Sequence, residues 1–225
     1  MIFICHVSWN VNLINFSKKL ITMSHLSHYL TRFQSGNFYH IYNRGVDRQL
    51  IFKNPRNYHY FMKLWKRHLA GYLDVVSYSL NANHFHFLVR VPTFEPVQLL
   101  GRTAHELIAG QLKVFFRSYA LAFNKNHLRT GSLFEGPFKR VHVGDINYLT
   151  YLMHYIHFNP EKNKLCADFR TWEWSSYKDV LKRGKSLVDR KFVVEWFGSI
   201  QEYKLFHLRE NHEVDIRSFL SGDED

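Results

Sequence analysis

The chain is short of cysteine, short of acidic residues and without a long apolar run. Two cysteines, Cys5 and Cys166, stand among its 225 residues, too few for a Cys-only zinc site or a disulfide framework. Reduced thiols in a cytoplasm are the simpler reading. No apolar stretch approaches the roughly 20 residues that cross a bilayer, so no membrane partner is expected. The opening MIFICHVSWNVNLINFSKKLIT is apolar. It has no basic start ahead of its apolar part and no small-residue cleavage site, which argues against a secretory leader. Residues 1–36 read as an extension, and Met23 offers a second start. Internal repeats and low-complexity blocks are absent too. The shortage of acid, 19 Asp and Glu against 30 Lys and Arg, leaves a formal charge of +11. Such an excess suits a polyanion, because each phosphate neutralised releases a condensed counterion.

Apolar side chains make up 46% of the chain and aromatics 17%. That is enough to bury one well-packed domain with appendages, and the chain is short for two full ones. Phe38 to Tyr42 reads as a strand ended by Asn43-Arg44-Gly45. After Asn54-Pro55, Tyr58 to Leu69 has helical spacing, with Phe61, Leu64 and Leu69 inward and Lys63, Lys66 and Arg67 together on another face. Val75 to Leu80 and His84 to Val91 read as a hairpin with Asn81-Ala82-Asn83 at its tip. His105 to Phe123 carries an apolar stripe of Ile108, Leu112, Phe115, Phe116, Tyr119 and Phe123. A polar segment from Asn124 to Ser132 breaks that helix, and Phe138 to Val143 makes another strand. Asp145 then caps a helix that runs to about Phe158, where Asn159-Pro160 stops it. The order predicts an α+β fold: a ferredoxin-like βαββαβ sheet with helices on one face, its other face open to a ligand, and a further helix beyond.

Side chains two apart in a strand point the same way. His84 and His86 therefore share one face, with Phe85, Phe87 and Val89 on the other. Two neighbouring imidazoles can grip a divalent ion, or simply belong to a solvated strand. On the last helix, at about 100° per residue, Tyr148, Tyr151, Tyr155 and Asn159 fall on one narrow face. Those tyrosines are either amphipathic packing residues with wetted hydroxyls or a nucleophile one turn before a metal-ligating asparagine.

Five ordered words carry a resemblance: F-Y-H-I-Y-N-R-G, N-H-F-H-F-L-V, G-S-L-F-E-G-P-F-K, Y-I-H-F-N-P and W-E-W-S-S-Y. In this order they resemble the single-tyrosine HUH-type transposases, most nearly the REP-associated tyrosine transposase branch. The similarity covers most of residues 37–180, which form the expected nuclease domain; residues 181–225 read as a helical appendage with an acidic tail. Ala82 departs from the proline common at that position in the family.

The resemblance implies that His84 and His86 are metal ligands, Asn159 a third, and Tyr155 the nucleophile, with Tyr151 and Tyr148 as the alternatives. It implies Mg²⁺ or Mn²⁺ as cofactor and a DNA hairpin with single-stranded flanks as partner, cleaved and rejoined through a 5′-phosphotyrosine. A cytoplasmic, nucleoid-associated protein is expected, with monomer and homodimer both open. Phosphate contacts are expected from Lys63, Lys66 and Arg67 on one basic face, and from Lys125, Arg129, Lys139 and Arg140 on another. A free phenol titrates near 10, so a base is needed. His142 is the candidate, since the helix turns His154 and His157 away. Two other classes compete: a DNA-binding protein that descends from a transposase and no longer cuts, and a metal-dependent hydrolase that activates water and has no need of Tyr155.

Overall fold

The computed structural model describes residues 29–208 except Arg183. The N-terminal segment 1–28, with Cys5 and Met23, and the acidic tail lie outside the described residues. Four strands, β1 (Phe38–Arg44), β2 (Asp74–Leu80), β3 (His84–Arg90) and β4 (Lys139–Val143), form one sheet in the order β2-β3-β1-β4. Every neighbouring pair is antiparallel. The helices are α1 (Pro55–Leu69), α2 (Pro96–Leu99), α3 (Ala104–Asn126), α4 (Ile146–Lys162), α5 (Tyr177–Leu181), α6 (Arg190–Phe197) and α7 (Ile200–Leu208). None of the described helices is long and apolar enough to cross a membrane.

Local chemistry accounts for the element ends. Asn54 caps α1 through its side chain and Pro55 fills the first helical turn, where a missing N–H costs nothing. Thr103 and Glu106 form a capping box at the start of α3, and Asp145 caps α4. The expected hairpin is present, its tip closed by Asn81 N–H donating to the His84 carbonyl at 2.8 Å.

The period of two in β1 and β3 sorts the sheet into unlike faces. Phe85 and Phe87 point towards α1 and α3. Phe87 stacks on Trp65 with centroids 3.7 Å apart, and Phe61 packs edge-on against Phe115 at 4.8 Å. His84 and His86 point the other way, together with His40, Tyr42 and Arg44, since Tyr42 lies directly opposite His86 and Arg44 opposite His84. The sequence pattern leaves this second face open. Instead α4 packs across it, burying Leu149, Leu152, Met153 and Ile156, and leaves a cavity at one end.

One further departure bears on the site. The helix α4 does not stop before Asn159-Pro160 but runs to Lys162 with Pro160 inside it. A proline so near the end removes only one ladder bond. Asn163 then secures the terminus, its N–H and Nδ2 both donating to the Asn159 carbonyl at 3.0 and 2.8 Å. Residues of the flanking segments contribute to the core. Phe33 is buried on the N-terminal side, and Val193 and Tyr203 of α6 and α7 on the C-terminal side. The segment 172–176 lies along the outer edge of β2, with Leu80 N–H donating to the Trp174 carbonyl and Ser176 N–H to that of Tyr78. It blunts an otherwise unpaired edge.

Candidate active site

The cavity between β1, β3 and α4 has a volume of about 550 Å³ and includes His84, His86, Tyr155, Asn159, Arg44 and Lys162 in its lining. The two imidazoles come from β3, and the tyrosine and asparagine from α4. The rings of His84 and His86 stand edge to face with centroids 5.1 Å apart. Tyr155 stands edge-on to His86 at 5.8 Å and is 8% exposed. Asn159 reaches His84, its Oδ1 lying 2.8 Å from Nε2.

The hydrogen bonds around His84 fix its tautomer. Asn83 Nδ2 donates to the Arg48 carbonyl at 3.1 Å, so Asn83 Oδ1 is the atom that faces His84 Nδ1 at 2.7 Å. His84 therefore carries its proton on Nδ1 and turns the lone pair of Nε2 towards Asn159 Oδ1. Two acceptors thus meet, with Asn81 Nδ2 between them at 2.8 Å from the imidazole and 2.6 Å from the amide oxygen. Asn163 Nδ2 also donates to Asn159 Oδ1, at 3.0 Å. Burial holds His84 below the ordinary histidine range, against the Asn159 contact that raises it. Burial, followed by the neighbouring His40, His84 and Lys162, holds His86 well below that range. Both rings are neutral at neutral pH, the state in which imidazole ligates metals.

This donor set fits a divalent cation: one imidazole lone pair and one amide oxygen already converge, with a second imidazole beside them. Among the described residues no group of three or more His, Cys, Asp or Glu is placed to hold a metal. The third donor here is an amide.

The other expected site residues are placed as follows. Tyr148 and Tyr151 share a helical face with Tyr155, yet Tyr148 lies roughly 10 Å up the axis, seven residues at 1.5 Å each. Tyr148 is buried, the Tyr151 ring lies 6.0 Å from Phe206, and neither lines the cavity. Of the seven basic residues only Lys139 does so, its Nζ 5.5 Å above the Tyr42 ring. Lys63, Lys66 and Arg67 are exposed on α1, on the far side of the sheet, and Lys125 is exposed near the end of α3. Arg129 braces its own loop, bonded to Gln49 Oε1 (3.0 Å), Asn124 Oδ1 (2.8 Å) and the Ser132 carbonyl (2.7 Å). Arg140 shares no face with Lys139, because adjacent strand residues alternate. It is 8% exposed, and its guanidinium donates to the backbone carbonyls of Thr31 and Tyr29. His142 lies opposite Tyr39, on the face away from the cavity, so it is not placed to act as a base. His154 and His157 also point elsewhere. His157 is buried between His207 Nε2 (2.9 Å) and Ser176 Oγ (2.7 Å), as the helical turn predicts.

Sequence reasoning missed Arg44, Arg48 and Lys162 in the lining, and His40 and Asn81 behind it. Arg44 pairs with Glu135 through two bonds of 3.0 and 3.1 Å. The period of two through His40, Tyr42 and Arg44 would have put these three on the His86 face. Nothing local to Asn81 announces its part, since its partner Asn159 is 78 residues away.

No family model matches the chain, and no curated protein matches it. Among solved structures, that of the REP-associated tyrosine transposase bound to a REP hairpin superposes with a TM-score of 0.50 at 11% identity, over 71% of this chain and 91% of that one. The likeness is one of fold.

Proposed function

We propose that this chain is a DNA transesterase of the transposase kind, which cuts and rejoins single-stranded DNA beside a hairpin through a 5′-phosphotyrosine on Tyr155. The observation that carries the reading is that one cavity gathers Tyr155 with His84, His86 and Asn159, residues contributed by a strand and by a helix some 70 positions later. The fold likeness to a hairpin-bound transposase supports it. So does the strand order β2-β3-β1-β4, which fits a ferredoxin-like βαββαβ sheet in which α1 and α3 make the two crossovers.

His84 Nε2, His86 and Asn159 Oδ1 are the atoms that would hold Mg²⁺ or Mn²⁺. Such an ion, when bound, supplies charge withdrawal from the non-bridging oxygens of the scissile phosphate. The cationic lining, Arg44, Arg48, Lys139 and Lys162, draws the phosphate in and holds it. Tyr155 Oη attacks phosphorus in line: the Oη–P bond forms as the P–O3′ bond breaks, the phenolic proton leaves to solvent and the departing 3′ oxygen takes one up. The phosphodiester energy stays in the Tyr155 ester, so attack by another 3′-hydroxyl reverses the step and joins new ends.

The test is incubation with a labelled DNA hairpin bearing single-stranded flanks, with Mn²⁺, followed by denaturing electrophoresis. A label that stays with the protein through SDS is expected. Cut DNA with no adduct would point to the metal-dependent hydrolase, and bound but uncut DNA to the non-cleaving DNA-binding protein.

A further inference from the structure

One buried ring has no part in the chemistry above. His40 on β1 is 1% exposed, its ring 4.7 Å from that of Tyr42 on its own strand and 5.1 Å from that of His86 on β3, nearly coplanar with the latter at 22°. Its Nε2 lies 2.9 Å from His86 Nδ1. The contact follows from register: Tyr42 is directly opposite His86, so His40, two residues away on the same face, is its diagonal neighbour, within reach of long side chains.

We infer that His40 is a positioning residue for His86, accepting its Nδ1–H and so leaving Nε2 as the nitrogen free to bind a divalent cation, as Asn83 does for His84. The inference rests on the metal reading given above. An imidazole has one proton to share between its two nitrogens when neutral. A partner that takes the Nδ1 proton settles which lone pair faces the cavity and locks the ring plane. Asn83 performs this on His84 with its own amide fixed by the Arg48 carbonyl. His40 performs it on His86, its own ring packed against that of Tyr42. The two ligand rings thus receive equivalent support from different residue types on different elements. The His40 proton then sits on Nδ1.

Two measurements test this. In the wild-type apoprotein, long-range ¹H–¹⁵N NMR should show His86 protonated at Nδ1 with a bare Nε2; the opposite tautomer would overturn the inference without any variant. Calorimetric titration with Mn²⁺ alone should then give an affinity about 10- to 100-fold weaker for His40→Phe than for wild type, the range typical of outer partners of metal ligands. His40→Gln, whose amide oxygen can still accept the Nδ1 proton, should recover most of it. Equal, wild-type affinity in both variants overturns the inference and leaves the metal site standing. Failure of the wild type to bind Mn²⁺, or unchanged binding by the His84→Ala/His86→Ala double variant, overturns the metal reading and this inference with it.

Discussion

The two faces of the sheet are made by the same strands, one residue out of step, and they have little in common. Facing α1 and α3, Phe85 and Phe87 meet Phe61, Trp65 and Phe116 in an aromatic core. Facing α4, His86 and His84 hydrogen-bond to His40 and Asn83, and Asn81 Nδ2 links His84 to Asn159. A strand of seven residues, H-F-H-F-L-V-R, therefore serves both, because successive side chains alternate. The lesson is a division of labour: the apolar face holds the fold, while the polar face is held by it and carries the residues of the proposed reaction.

The sharpest break of that division is at Phe87. Phe87→Ala leaves a void against Trp65, and urea denaturation should show a loss of about 3–5 kcal/mol. A loss below roughly 1 kcal/mol would mean that the aromatic stack contributes little to stability.

On the other face, His84→Ala/His86→Ala should abolish Mn²⁺ binding in a calorimetric titration while costing clearly less stability than Phe87→Ala. Comparable destabilisation by the two variants would erase the distinction between the faces.

A smaller effect concerns pH. Burial, followed by the neighbouring His154, holds His157 at about 3, below the ordinary 6.5. Between those values the unfolded chain binds a proton that the folded one refuses. The stabilisation is thus complete above about pH 6.5 and is lost as pH falls towards 3, at up to ~1.4 kcal/mol per pH unit. Urea midpoints at pH 7.5, 6.0 and 4.5 should fall in that order. His157→Gln should show a shallower decline, and the same slope in both proteins would assign the acid sensitivity elsewhere.

The mildest expected change is on the outer surface of α1. Lys63→Ala, Lys66→Ala and Arg67→Ala should each alter stability by no more than about 0.5 kcal/mol. At saturating DNA their triple variant should form adduct at the wild-type rate, whereas Lys139→Ala, in the cavity lining, should slow it. A slowed triple variant would bring the far side of the sheet into the reaction.

What the sequence disclosed follows the same line. The β1 strand, the β2–β3 hairpin and the stripe of α3 were legible because period-two and helical periodicities are local, and the sharing of one face by His84 and His86 came with them. The end of α4 was not. Asn159-Pro160 carries a stop signal, yet Asn163 caps the turn beyond it, and that extension sets Asn159 inside the helix and brings Lys162 and Asn163 to the cavity. The roles of His40 and Asn81 depend on cross-strand register and on a helix arriving 78 residues later. Arg140 reads as one of a basic pair in sequence, and strand alternation turns it inward to bind the carbonyls of Thr31 and Tyr29.

If the oxygen of Tyr155 takes up the DNA, peptide mapping of the covalent adduct will locate the linkage there. Wild-type protein would be trapped with labelled hairpin DNA and Mn²⁺, digested, and its DNA-linked peptide sequenced beside that of Tyr155→Phe, a variant that keeps the ring and deletes only the attacking oxygen. The expected result is a single modified peptide carrying the linkage on Tyr155, adduct formation by Tyr151→Phe and Tyr148→Phe, and none by Tyr155→Phe. A linkage on Tyr148, Tyr151 or Tyr42, or an adduct formed by Tyr155→Phe, would contradict it.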